Sequence, residues 1–77
     1  MVEIIWSERA ISDLEQIGEY ISLDSFRYAR ITVQKLFSKP KILTTFPLIG
    51  RKFPVYNRES LRELIEQPYR IVYEFDE

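Results

Sequence analysis

Arg51, Lys52, Arg62, Arg70 and Tyr73 are the side chains of this sequence best suited to handling a negatively charged molecule. A guanidinium fork matches the oxygens of a phosphate or carboxylate two at a time, and an ammonium group adds a compact point charge. Groups able to move a proton are scarcer. Glu63, Glu74 and Tyr73 are the candidates, and each needs a pKa far from its ordinary range to do so near neutrality. The 77 residues include no histidine and no cysteine, which removes the usual general base, the commonest metal ligand, thiol chemistry and disulfides. No metal and no cofactor are therefore expected. The chemistry on offer is the holding of an anion, by Arg51, Lys52, Arg62 and Arg70. Were catalysis to occur, Arg70, Arg62, Arg51 and Tyr73 would be its candidates.

These residues must be positioned by the stretch 60–77, S-L-R-E-L-I-E-Q-P-Y-R-I-V-Y-E-F-D-E. Two runs rich in strand-forming residues, 61–66 and 69–75, are separated by Gln67-Pro68, which reads as a hairpin. Successive strand side chains point to opposite sides, so Tyr69, Ile71, Tyr73 and Phe75 share one face while Arg70, Val72 and Glu74 share the other. Register then decides which arginines meet. A two-residue loop ordinarily needs positive φ, which proline cannot adopt, so a three-residue loop over 66–68 is expected. That register sets Leu61 and Ile65 beside Ile71 and Tyr73, and Arg62 beside Arg70 on the open face. A loop with an even residue count would place Arg62 and Glu66 beside the aromatics instead. Arg70 reads either as an anion contact or as a strand residue paired with Glu63, Glu66 or Glu74.

Upstream, residues 2–6 form a short β-branched and aromatic run that predicts a first strand, with Trp6 in the core. Ser7 is a good N-cap with Glu8 in the first turn behind it, and Ala10, Leu14, Ile17 and Ile21 recur at helical spacing. Gly18 permits a close helix approach. Asp24-Ser25 offers a second N-cap, followed by an apolar stripe of Ala29, Val33, Leu36, Phe37 and Leu43 interrupted at Pro40, with helical turns expected on both sides. Residues 46–57 read as a crossing loop in which Phe53 and Tyr56 are exposed contacts, and Arg51 caps the second helix, pairs with an acid of the first helix or faces the ligand. The sum is one α+β domain over residues 1–77. Its order is β-α-α-β-β, with a helix hairpin on one face of a small antiparallel sheet that includes the first strand.

Charge is unevenly spread although the net value is −1. Residues 27–62 hold nine Lys or Arg against Glu59 alone, while the flanking segments are acidic. Such a block suits an acidic partner, nucleic acid or protein, or else forms a solvated face balanced by its neighbours. No apolar run reaches the roughly 18–20 residues of a membrane span, and the N-terminus lacks a signal-peptide layout, so no membrane association and a cytoplasmic location are expected.

Four segments in order carry a family resemblance: S-x-x-A-x-x-D-L-x-x-I-x-x-Y-I from Ser7, F-P-x-x-G-R from Phe46, L-R-E-L from Leu61 and Y-R-I-V-Y from Tyr69. Together the sequence resembles the RelE/ParE superfamily of toxins from type II toxin–antitoxin, or plasmid stabilisation, systems. The F-P-x-x-G-R and L-R-E-L segments look ParE-like. The resemblance implies the β-α-α-β-β layout, growth inhibition, and neutralisation by a cognate antitoxin. For the ParE-like branch it implies action on DNA gyrase. For the RelE-like branch it implies ribosome-dependent cleavage of messenger RNA, with Arg70 matching an arginine of those nucleases. A non-toxic module that only binds antitoxin is the third reading. Cleavage needs a proton acceptor, a charge stabiliser and a proton donor, of which the arginines supply only the second, so binding is the expected mode. Relatives also carry a further strand where this chain reaches Glu77. Strand 69–75 is therefore expected to present an open edge, covered by an antitoxin segment or by a second copy in a homodimer.

Overall fold

The computed structural model describes residues 2–52 and 60–75. Its elements are α1 (Glu8–Ser22), α2 (Phe26–Ser38), a 3-10 helix (Lys39–Thr44), β1 (Arg51–Lys52), β2 (Leu61–Glu66) and β3 (Tyr69–Glu74), an α+β arrangement. They divide into two compact units, a helical one over Ile5–Ser38 and a sheet unit made of Met1–Ile4 and Lys39–Glu77.

In the helical unit the caps fall where the sequence places them. Ser7 Oγ accepts from the Ala10 amide at 3.1 Å, and Ser25 rather than Asp24 caps α2, taking the Tyr28 amide at 3.0 Å. Each bond satisfies one of the amides a helix start leaves without a partner. The two helices are antiparallel neighbours through a short turn, and Gly18 is the point of approach. A Cβ built there would lie 3.0 Å from Val33 Cγ2, closer than side chains normally sit. Trp6 stacks on Phe37 with ring centroids 5.2 Å apart and planes 19° from parallel. That contact is offset stacking within the unit.

Residues 2–6 form no strand, which corrects the expected first strand. Strand preference is largely a matter of fitting a pleated surface, and β-branched residues with no ladder partner stay irregular. Ile5 is accordingly exposed. The third strand comes from inside the expected crossing loop, as Arg51–Lys52. Residues 53–57 of that loop, including Phe53 and Tyr56, lie outside the described residues.

The helix after α2 behaves as Pro40 demands. The α-helix ends at Ser38 and the chain continues as a 3-10 segment whose Pro40 and Leu43 are buried. Beyond it the sheet has the order β1-β2-β3, antiparallel throughout. On β3 the residues alternate between half-buried Tyr69, Ile71 and Tyr73 and exposed Arg70, Val72 and Glu74, as the pattern anticipates.

The hairpin turn differs from expectation. Glu66 pairs with Tyr69, so the loop is the two residues Gln67-Pro68, joined by a cis peptide bond, and no described residue other than glycine has positive φ. A turn with cis proline at its third position closes two residues without positive φ, and so escapes the argument against a tight loop. The register then runs Arg62↔Tyr73, Glu63↔Val72 and Ile65↔Arg70. Arg62 and Leu64 share the face of Ile71 and Tyr73, whereas Leu61 and Ile65 lie on the face of Arg70. This is the arrangement an even loop dictates, and it overturns the expected meeting of Arg62 with Arg70.

Candidate anion-binding site

The face of β3 that carries Arg70 also carries Glu63 from β2 and Arg51 from β1, because Arg51 stands opposite Glu63 and Arg70 lies diagonal to it. Glu63 is the organising residue. Its side chain is fully buried, while the side chains of Arg51 and Arg70 are 65% and 50% exposed. Arg51 Nε donates to Glu63 Oε2 at 2.7 Å. Arg70 Nε lies 2.9 Å from Oε1, yet among the described residues no donor meets Oε1 with hydrogen-bond geometry. The first contact is a charge-assisted hydrogen bond, and the second is an ion pair with the N–H turned aside. A carboxylate removed from water is tolerable only with close cations, which the two guanidinium groups provide.

The three formal charges leave the cluster at +1, spread over two forks that reach solvent on either side of a fixed carboxylate. A positively charged pair with a rigid spacer can hold an anion. It supplies charge and hydrogen-bond donors, and it supplies no obvious acceptor for a proton, since Glu63 is already engaged twice.

The opposite face uses its polar groups differently. Arg62 Nη1 donates to the carbonyls of Leu48 at 3.3 Å and Gly50 at 3.0 Å. The Tyr73 hydroxyl donates to the Pro47 carbonyl at 2.7 Å and accepts from the Gly50 amide at 3.1 Å. Arg62 and Tyr73, neighbours across the strands, therefore clasp the main chain of residues 47–50. Gly50 has to be glycine here, because a Cβ would fall 2.6 Å from the Tyr73 hydroxyl oxygen and 2.8 Å from the Glu63 carbonyl. The clasp delivers the next residue, Arg51, to Glu63.

The structure thus sorts the sequence candidates into two groups. Arg51 and Arg70 come together around Glu63; Arg62 and Tyr73 hold a loop on the other face. Lys52, exposed and opposite Arg62, is on the loop-holding face too. Arg70 pairs with Glu63, one of the acids open to it, and Arg51 pairs with the same Glu63 rather than with an acid of the first helix. Sequence reasoning weighs Glu63 as a proton carrier, a mate for Arg70 or part of an exposed edge with Arg62; the structure buries it as the shared anchor instead. A signal was available in the Arg62-Glu63 pair. Adjacent strand residues face opposite ways, so one of the two charges had to point to each side whatever the register.

A further strand position remains at the edge of β3, which has β2 as its one neighbour in the sheet of the described residues. Among those residues no helix is long and apolar enough to cross a membrane. In comparison with known proteins, a family model described as ParE toxin of type II toxin-antitoxin system, parDE, matches residues 4–77. No curated protein and no solved structure gives a match.

Proposed function

Because the chain belongs to the ParE toxin family of type II toxin–antitoxin systems, we propose that it arrests growth in the cytoplasm by binding DNA gyrase, until a cognate antitoxin neutralises it. The observation that carries binding over catalysis is the employment of the polar groups. Glu63 is held between Arg51 and Arg70, and the Tyr73 hydroxyl is committed to Pro47 and Gly50. Two of the three groups that might have moved a proton for RNA cleavage are thereby engaged in holding structure, while the arginine pair stays accessible. A contact surface needs only the latter.

The antitoxin's place on this reading is the edge of β3. A strand added there extends the sheet by main-chain hydrogen bonds and satisfies a row of peptide groups. Light scattering of the purified chain with and without the product of a neighbouring small open reading frame checks this. A stable one-to-one complex that protects the β3 amides from hydrogen exchange is expected, and a tight homodimer indifferent to that product would refute it.

Induced expression should stop growth, and purified protein should inhibit gyrase supercoiling in a dose-dependent way. Growth arrest with intact gyrase activity and cleaved messenger RNA would replace this reading by the ribonuclease one. Neither arrest nor inhibition would leave only an antitoxin-binding module.

A further inference from the structure

We propose that the hairpin of α1 and α2 is a self-complementary surface that pairs with the hairpin of a second copy of this chain, the acidic α1 of each copy lying against the basic α2 of the other. The inference goes beyond the function proposed above and does not depend on it.

The charges of the hairpin are sorted by helix. α1 carries Glu8, Asp13, Glu15 and Glu19 against Arg9, whereas α2 carries Arg27, Arg30 and Lys35 and no acid. All of these residues are exposed. The two helices are neighbours, yet among the described residues none of these charges has an ion-pair partner. They are also aligned. Glu8, Glu15 and Glu19 fall on one line along α1, at i, i+7 and i+11, and Arg27, Arg30 and Gln34 fall on one line along α2, at i, i+3 and i+7. Each line stands opposite the side that its helix turns inward, marked by half-buried Leu14 and Ile17 in α1 and by buried Ala29 and Leu36 in α2. One outward face of the hairpin thus carries a negative strip beside a positive one.

A partner that answers both strips must carry both signs side by side, and a second copy does so by symmetry. Turning one hairpin onto another about a two-fold axis parallel to the helices sets α1 over the other copy's α2, antiparallel to it, which is the packing of a four-helix bundle. Heights along the helices agree as well. Because Gly18 is level with Val33, Glu19 of one copy comes within about one helical turn of Arg30 of the other. The same axis brings the two turn ends together. There Tyr20, Leu23 and Phe26 are 75%, 82% and 78% exposed, and pairing lets the two sets shield one another from water. That burial supplies the driving force that exposed ion pairs alone do not. A nucleic acid or a purely acidic protein segment would suit α2 and meet like charge on α1.

Sedimentation equilibrium of the purified chain over about 1–100 µM tests this, and a dimer is expected in that range. Glu15→Lys with Glu19→Lys reverses the strip on α1, and Arg27→Glu with Arg30→Glu reverses the strip on α2. Each double variant should self-associate at least about tenfold more weakly than the parent. Mixing the two should restore a one-to-one dimer of about parental affinity, because the reversed positions of each chain then meet opposite charge on the other. A parent that stays monomeric, a dimer unmoved by either reversal, or a mixture that fails to associate would each overturn the proposal. If circular dichroism finds a reversal variant unfolded, Leu23→Ser takes its place, since that side chain lies in solvent in the single chain. A loss of at least about fivefold in self-association is then expected, and unchanged affinity refutes the pairing.

Discussion

At the scale of single residues, the decisive feature is a carboxylate with no exposure of its own between two half-exposed arginines. The energetics of this cluster are lopsided. Replacing Glu63 by Gln returns the arginines to water at a cost of about 1 kcal/mol, the net worth of a lost hydrogen bond. Replacing both Arg51 and Arg70 by Ala strands the carboxylate, which costs about 3 kcal/mol after allowance for solvent screening of such exposed partners. Urea denaturation of the three proteins should show this order, and a double variant as stable as the parent would contradict it. Tyr73→Phe removes a hydroxyl that serves both Pro47 and Gly50. It should cost about 1–3 kcal/mol in the same measurement, because the Gly50 amide is left without its acceptor. Neither role was readable from the sequence in full. Arg51, Arg62, Arg70 and Tyr73 were identifiable by type, but which of them touch depends on a register that a single residue shifts. The length of the turn at Gln67-Pro68, which local sequence does not specify, decides that register.

At the scale of elements, what was legible is what is local. Ser7 and Ser25 cap their helices, Pro40 ends the α-helical run, and β2 spans the run of strand-forming residues read at 61–66. Each of these follows from a residue's own backbone limits or from its nearest neighbours. The first strand failed because residues 2–6 look extended in isolation, whereas pairing depends on which edge is available. Arg51–Lys52 was hidden for the converse reason, since two charged residues in a Pro- and Gly-marked loop carry no strand pattern. Gly18 gives an element-level prediction. Gly18→Ala gains helix propensity of about 1 kcal/mol, but its Cβ meets Val33 Cγ2 at 3.0 Å. The substitution should therefore be neutral or destabilising alone and stabilising by about 1 kcal/mol when made in a Val33→Ala background. Thermal melts of the four combinations measure that coupling, and its absence would mean the helices do not pack at this point.

At the scale of the whole molecule, the segregation of charge is fully visible in the sequence, with the basic block of residues 27–62 set between acidic segments. Its use is not visible, because a count of cations does not tell which are spent internally. Arg62 shows the difference, being turned to two carbonyls although it belongs to the block. Growth arrest should consequently depend on position more than on charge. The pair Arg51→Gln and Arg70→Gln should raise colony survival after induction at least about tenfold, while Lys35→Gln on α2 changes it little. Equal effects from both would mean the arrest responds to bulk charge.

The clasp of Arg62 and Tyr73 on residues 47–50 has a practical corollary. The four bonds described for it end on main-chain atoms, at Pro47, Leu48 or Gly50, while the side chains of Leu48 and Ile49 stand about half exposed. The identity of those two side chains is thus uncoupled from the loop's shape. They are the natural attachment points for a fluorophore or crosslinker that reports on Arg51 without displacing it, and they are positions where homologous chains can drift in hydrophobicity while keeping the same arginine in the same place.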